Sequence, residues 1–458
     1  MKRILFVNPS IRSTVFGQMK MLALPPMGLG LLASRTPYSY AVSIVDENVE
    51  TIDFDAQADV VAVTATTVQA PRAYQILQRF GRRGVTTILG GIHASVMQQE
   101  ASAYADAVVI GEADEIWTGI LEDFERGDLK STYRAEAFPS LEAMPRMRRE
   151  LFADKYFVPS VQTSRGCPCD CNFCSVTSFN GRRTRYRPIR EVIDELAHLR
   201  ENRLFIADDS VVGQGSGGID RARQLFEGMK NLGKSWGAQV CITIAEHDDL
   251  LRAAVDSGAN TFYIGFESVE SAGLESMDKR INLRPSIRNF KGVIQKLHDH
   301  GIGVIGGFIL GSDGDTRDIF DKTIDFIHET EIDGCQLTIL TPFPGTRLFE
   351  QMLREGRLLY TDFPNDWSRY HCYETVIRPK NMTVDELERG QRRVYRATTT
   401  MGKSLVRGLR TLENTRSVTN ALTNFFWNYY NFKASETVVR NKAHSRSTST
   451  SLCRRQTE

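Results

Sequence analysis

Short runs rich in Val and Ile recur along the chain with helical patterns between them, and that alternation limits what the polypeptide can fold into. Near the start the runs are Ile4–Val7, Val42–Val45, Val60–Val63, Thr86–Leu89 and Ala107–Ile110. Stretches of helical periodicity, such as Pro71–Arg83, lie between several of them, and another follows at Ala113–Phe124. Short apolar strands alternating with helices predict an α/β domain over residues 1–126. Its doubly wound parallel sheet would be covered by helices on both faces. Ligands of such sheets bind beyond the carboxyl ends of the strands. The turns Thr64-Ala-Thr-Thr67, Gly90-Gly-Ile-His93 and Gly111-Glu112 all fall at that edge, which makes it a candidate site.

The pattern stops between Gly127 and Val158, where Pro139, Pro145 and the charged run Arg146–Glu150 read as a linker over 127–158. A second strand–helix series then fills 159–359. Its strands are expected at Val161–Thr163, Leu204–Ala207, Ala238–Thr243, Thr261–Gly265, Val304–Ile309 and Gln336–Leu340. Helices are expected at Ile189–Arg200, Ile219–Leu232, Asp248–Ser257, Arg288–His300, Asp315–His328 and Arg347–Glu355. Six such units are too few for a closed eight-stranded barrel and suit a partial (β/α)6 barrel, with chemistry at the strand C-termini. Residues 360–440 read as a mostly helical C-terminal extension, including a helix over Thr383–Ala397 with Thr383 and Glu386 as a capping box. The Ser/Thr/Arg-rich stretch 441–458 reads as disordered.

Composition excludes several classes of function. The net charge of +1 offers no global field for nucleic acid. No apolar run approaches the roughly 20 residues that span a bilayer. The apolar part of the first residues, Ile4–Val7, is too short for a signal peptide, so a cytoplasmic protein is expected. The cysteines are unevenly placed: four lie within Cys167–Cys174, while Cys241, Cys335, Cys372 and Cys453 stand alone. One tight cluster is unlike a disulfide framework and points to metal or redox chemistry.

That cluster is Gly166-Cys-Pro-Cys-Asp-Cys-Asn-Phe-Cys174, directly after an expected strand. Three thiolates on a short loop can hold three irons of a cuboidal cluster and leave the fourth iron open to a ligand. A structural zinc knuckle is the competing reading, and it lacks a second cysteine pair or a nearby histidine. The spacing Cys167-x3-Cys171-x2-Cys174, with Phe173 before the last cysteine, resembles the radical S-adenosylmethionine (SAM) superfamily. Cys169 adds a thiol where that family usually has none, which leaves the ligation register formally open. The resemblance implies a [4Fe-4S] cluster on Cys167, Cys171 and Cys174, with Cys169 outside the ligand set. Further matching segments are Asp208-Asp209-Ser210, Gly265-Phe-Glu-Ser268, Gly307-Phe-Ile-Leu-Gly311 and Thr341-Pro-Phe-Pro-Gly-Thr346. They imply SAM contacts from Phe173, Asp208, Asp209, Glu267, Ser268 and Gly311.

The N-terminal segments Pro25-Pro-Met-Gly-Leu-Gly30, Thr64–Thr67, Gly90-Gly-Ile-His93 and Gly111-Glu112 resemble the flavodoxin-like cobalamin-binding domain of cobalamin-dependent radical SAM proteins. The resemblance implies cobalamin contacts from Thr64, Thr66, Thr67, Gly90, Gly91, His93, Gly111 and Glu112. There is no Asp-x-His-x-x-Gly segment to supply a lower cobalt ligand. Trp367–Tyr395 resembles the extension of hopanoid-methylase-like members. The family implies methylation of an unactivated carbon of a small molecule or lipid, through a 5′-deoxyadenosyl radical and methylcobalamin. An external electron donor of flavodoxin or ferredoxin type is implied as partner. A radical cyclase or rearrangement enzyme with the same cofactors is the alternative, followed by a non-catalytic cobalamin-binding protein. RNA methylthiolation would need a second cysteine set before Cys167, and none is present.

One segment has two readings. Around Leu405–Phe432 the basic residues Lys403, Arg407, Arg410 and Arg416 precede Phe425, Phe426, Trp427, Tyr429, Tyr430 and Phe432. It suits either a helix packed over the barrel mouth or a peripheral membrane contact.

Overall fold

The computed structural model describes residues 1–13, 17–18, 24–152, 156, 158–429 and 431. The first apolar runs form a six-stranded sheet in the order Tyr40–Asp46, Lys2–Asn8, Val60–Thr64, Thr86–Gly90, Ala107–Ile110, Thr132–Arg134. All of its pairings are parallel. Alternate side chains of a strand point to opposite faces. Val61 and Val63 accordingly pack with Ala73, Ile76 and Leu77 of the helix Ala70–Gly81. Val60 and Ala62 pack on the other side with Leu29, Trp117 and Ile120. Covering both faces is what lets every residue of Val60–Val63 be buried, at about 1.5–3 kcal/mol for each valine. Strand order reverses at Lys2–Asn8, so a crevice opens beside its carboxyl end. Thr132–Arg134 falls inside the stretch read as a linker. It is a short, partly exposed edge strand with no apolar alternation to reveal it.

The second series forms another all-parallel, six-stranded sheet, and its strands keep chain order. They are Ser160–Val161, Arg203–Ile206, Ser235–Gln239, Ala259–Glu267, Gly303–Leu310 and Gly334–Ile339. This is the partial barrel. One boundary differs from the sequence reading: the strand expected to reach Thr243 stops at Gln239, and Ile242–Glu246 is a 3-10 turn. The apolar run there reports burial, since Ile242 and Ile244 are fully enclosed, without reporting strand pairing.

The C-terminal region ties both sheets together. Trp367 is fully buried against the first sheet's helices, its Nε1 donating to the Glu100 carboxylate at 3.0 Å and its ring stacked on Phe363 at 3.6 Å. The helix Val384–Thr398 begins with the expected capping box, Thr383 and Glu386 exchanging hydrogen bonds of 2.8 and 3.2 Å. The single helical segment expected near 405–432 is two helices, Met401–Thr415 and 418–429, separated where Arg416 takes a left-handed conformation (φ 52°). They do not cover the barrel mouth. They close its floor, where Asn420 donates to the Gly301 carbonyl at 3.1 Å and Trp427 lies against Gly334, both at strand starts. Arg407, expected on a basic surface, is buried and donates to Asn428 at 3.0 Å. Tyr430, Phe432 and the stretch 441–458 lie outside the described residues. Among the described residues no helix is long and apolar enough to cross a membrane.

The floor is organised by Asp333, which is fully buried. Its carboxylate accepts from His298 Nε2 at 2.8 Å, Val304 N at 2.6 Å and Thr411 Oγ1 at 2.5 Å. Removing it leaves His298 Nε2 and Val304 N without their buried acceptor, while Thr411 Oγ1 keeps the Arg407 carbonyl at 2.9 Å. Asp333→Ala is expected to cost about 3 kcal/mol or more in urea unfolding, because each lost partner leaves an unmatched polar group. A loss below about 1 kcal/mol would show that the floor tolerates the change, against this reading.

Candidate functional site

The cysteine loop leaves the short strand Ser160–Val161 and is held from three sides. Asp208, at the end of the neighbouring strand, is buried and uses both oxygens on the start of the loop. It accepts from Thr163 N and Oγ1 at 2.6 Å each, and from Ser164 N at 3.1 Å and Oγ at 2.8 Å. Burial pushes its carboxyl above the ordinary range, and the four hydrogen bonds oppose that rise. Asp209 Oδ2 accepts from Gly166 N at 2.9 Å. Gly166 has φ 90°, and a Cβ there would stand 2.4 Å from the Arg183 carbonyl oxygen, so only glycine fits. On the far side Asn172 bonds the backbone of Ser276 and Met277, while Arg347 pairs with Asp170 at 2.6 Å and Asp278 at 2.8 Å. Asp208, expected at the SAM site, spends both its oxygens on the start of the loop.

Cys171 is buried, and Cys167 and Cys174 are half-buried. Burial pushes the Cys171 thiol up to about 12 and raises Cys174 as well. Thiolates bind metals, so burial alone works against this loop until a cation offsets it. Three soft sulfurs on one short loop are the donor type an iron–sulfur cluster takes, although among the described residues no such group of side chains is gathered closely enough to hold a metal ion. Cys169 stays beside this set: its side chain hydrogen-bonds that of Cys167, which with nearby cations holds the Cys169 thiol down to about 6, and its Sγ also accepts from Gln214 Nε2 at 2.8 Å.

Beside the thiols stands a charged pair that sequence reading half missed. Glu267 ends the strand Ala259–Glu267 with φ 64° and accepts from Lys279 Nζ at 2.9 Å. Burial opposes the Lys279 charge, but Glu267 and the Cys171 thiol outweigh it and hold the amine above the ordinary lysine range. Lys279 has no motif around it; only its place after the helix Ser271–Ser276 brings it back to the loop. Ser268 is buried and accepts from Glu270 N at 3.2 Å. Gly311 serves a turn: φ is 90°, a Cβ would lie 2.5 Å from Leu387, and its N donates to Asp315 at 2.8 Å. Phe173 packs with the apolar cluster of the first sheet rather than standing free.

A cavity of about 720 Å³ lies between the carboxyl edge of the first sheet and the segment that follows Cys174. Thr64, Thr66, Gly90, Gly91, Gly111 and Glu112 line one side, and Ser175, Val176, Phe179 and Asn180 line the other. Gly91 has φ 95°, and a Cβ there would stand 2.7 Å from Thr64 Oγ1 and 2.8 Å from Ala65 N, so the turn requires glycine. The result is an open, largely apolar cradle with backbone at its wall, suited to a corrin-sized ring. Two expected contacts lie elsewhere. His93 is fully buried, with Nε2 at 3.1 Å from both Tyr74 Oη and Glu100, and belongs to the core. Thr67 borders a smaller adjoining cavity of about 250 Å³, with Phe343, Tyr370 and Tyr373.

Glu112 lines the cavity, but its carboxylate is committed. It pairs with Arg165 at 2.5 Å and with Arg185. Arg165 also forms a two-pronged pair with Asp114 at 2.9 and 3.0 Å. Arg165 and Arg185 sit opposite each other in the small antiparallel pair that starts the cysteine loop. No motif marks these arginines in the sequence; the contact spans residues far apart in the chain.

Comparison with known proteins agrees with this geometry. The Radical SAM superfamily profile matches residues 161–327, and the B12 binding domain profile matches residues 24–121. Bacteriochlorophyllide d C-12(1)-methyltransferase of Chlorobaculum tepidum is 31% identical over 422 residues, covering 87% of this chain and 89% of the relative. Hopanoid C-2 methylase of Rhodopseudomonas palustris is 28% identical over 352 residues, 74% of this chain and 66% of the relative. The structure of TsrM from Kitasatospora setae, a radical SAM methyltransferase with cobalamin and a [4Fe-4S] cluster bound, shares the fold at 15% identity. Its TM-score is 0.63, over 97% of this chain and 100% of that one. Long similarity to the first relative and the two matched profiles lead to one conclusion: the chain belongs to the cobalamin-dependent radical SAM enzymes, whose cofactors are a [4Fe-4S] cluster, SAM and cobalamin.

Proposed function

We propose that the protein methylates an unactivated carbon of a polycyclic apolar substrate, a small molecule or lipid. The observation that carries this reading is the 720 Å³ cavity, whose two walls come from the glycine turns of the first sheet and from the residues directly after Cys174. A methyl carrier and a radical source must both reach one carbon, and cofactors held at these two walls would face each other. When bound, the cluster reduces SAM to release a radical and cobalamin carries the methyl group, so the hard chemistry belongs to the cofactors.

The chain's own residues bind, orient and exclude water. Cys167, Cys171 and Cys174 would hold the cluster, with Asp208 and Asp209 fixing the loop. Glu267 and Lys279 suit the amino and carboxylate groups of SAM, a zwitterion matched by an ion pair of 2.9 Å. Thr64, Thr66, Gly90, Gly91 and Gly111 would shape the corrin cradle. The smaller cavity beside it is bordered by Val68, Phe343, Tyr370 and Tyr373, which suits a flat ring system lying next to both cofactors. The substrates named for the two curated relatives, bacteriochlorophyllide d and a hopanoid, are polycyclic too. We assign electron supply to a soluble flavodoxin or ferredoxin in the cytoplasm. The test is anaerobic reconstitution with methyl-labelled SAM, cobalamin and metabolite extracts from cells lacking the gene. A product that gains one labelled methyl group supports the reading, and a product of unchanged carbon count sinks it.

Ligation is tested by substitution. Cys167→Ala, Cys171→Ala and Cys174→Ala should each lose cluster iron and 5′-deoxyadenosine formation, whereas Cys169→Ala should keep both. An inactive Cys169→Ala beside an active Cys167→Ala would overturn the assignment. Alignment of the two sites is tested at Arg165. Arg165→Ala should leave SAM cleavage measurable but lower methyl transfer roughly 100-fold, the effect of a small misplacement between reacting groups. Equal losses in both activities would show that Arg165 serves only stability.

A further inference from the structure

The two C-terminal helices are turned inside out relative to an ordinary surface hairpin. The faces they press on the barrel floor are polar: Ser404, Arg407 and Thr411 on one helix, Asn420, Asn424 and Asn428 on the other, all buried. Their outward faces are apolar. Along the helix Met401–Thr415 the side chains of Met401, Leu405, Leu409 and Leu412 recur at helical spacing and are exposed, Leu405 to 56% and Leu409 to 61%. Along 418–429 the exposed set is Val418, Leu422 and Phe426. A surface helix whose large apolar residues face outward at this spacing has no protein core to serve and calls for a partner.

Charge says which partner. Between 389 and 416 the one acidic residue is Glu413. Arg389, Arg392, Arg393 and Arg396 line a groove on the preceding helix. Among the described residues, Arg396, Lys403 and Arg416 have no carboxylate within ion-pair distance, while Arg389, Arg392, Arg393 and Arg410 do. Burial and then Lys403 and Arg407 hold His328, at the foot of this face, below the ordinary histidine range. A second copy of the chain would bring the same cations against each other. Residues 432–458 offer few large apolar side chains, Phe432, Val438, Val439 and Leu452, to cover the face. An apolar ridge fringed by cations fits the boundary of an anionic lipid bilayer, where side chains enter the acyl edge and cations meet headgroups.

We propose that this C-terminal hairpin, through Met401, Leu405, Leu409, Leu412, Leu422 and Phe426, docks the enzyme on an anionic membrane surface. The contact lies at the strand starts, opposite the cysteine loop, so it anchors the protein without covering the site. It is a property separate from the methyl-transfer reading and stands or falls alone.

The test uses the full-length holoprotein with sedimenting vesicles of phosphatidylcholine, alone or mixed with phosphatidylglycerol. Wild-type protein is expected to sediment with the anionic vesicles at low salt and about tenfold less with phosphatidylcholine alone. Leu405→Glu/Leu409→Glu on the first helix, and separately Leu422→Glu/Phe426→Glu on the second, should abolish sedimentation with SAM cleavage unchanged. All four side chains are exposed, so folding should survive the substitutions. Protein that stays in the supernatant with both vesicles overturns the proposal. So does a doubling of solution mass that both variants abolish without any vesicle binding, which would assign the face to a second copy.

Discussion

The two-pronged ion pair between Arg165 and Asp114, extended through Glu112 to Arg185, is the constraint on which the rest of the arrangement depends. It joins the loop after the last long strand of the first sheet to the root of the cysteine loop. Burying charges is costly unless each finds a partner, and here two arginines meet two carboxylates, so that losing any one of them would strand a buried charge. Because a half-filled network of this kind is expensive, the two halves have one favourable register. That register is what sets the glycine turns at one wall of the cavity and the residues after Cys174 at the other.

A second layer of fixation acts within the barrel. Asp208 and Asp209 hold the backbone at Thr163, Ser164 and Gly166, so the thiols are presented by a loop whose entry is already rigid. Asn172 and Arg347 hold its exit. Holding both ends of the loop limits how far the thiols can stray, while burial of Cys171 favours its neutral thiol, so a bound cation has to draw the proton off. The Glu267–Lys279 pair brings both signs of charge to the same enclosed spot.

What the sequence revealed follows the range of the interaction concerned. Strands such as Val60–Thr64, the cysteine loop and the Thr383 capping box are local: periodicity, spacing and a three-residue offset betray them. The strand Thr132–Arg134 was invisible because an edge strand with one neighbour needs no apolar alternation. His93 looked like a cavity residue because its turn is at the sheet edge, yet Tyr74 and Glu100 draw it inward. Asp208 stands at the expected strand end, and its contacts with Thr163 and Ser164, distant in the chain, carry no local signal. Arg165, Asp114 and Lys279 were overlooked since each acts on a residue distant in the chain, and single charged residues carry no local signal. The C-terminal hairpin misled differently. Its helical character and its basic-then-aromatic composition are legible, but which face turns inward depends on a barrel floor that offers Asp333 and open carbonyls rather than an apolar surface.

Corrin would occupy the cavity between the first sheet and the cysteine loop. Gly28 lines that cavity, and a Cβ placed on it meets nothing within 4 Å, so a large side chain there fills the cradle without disturbing the fold. The decisive measurement is corrinoid and iron content of Gly28→Phe protein purified from cobalamin-replete cells. Corrinoid absorbance should be lost while cluster iron and SAM cleavage remain. Corrinoid bound at wild-type stoichiometry in that variant would contradict it.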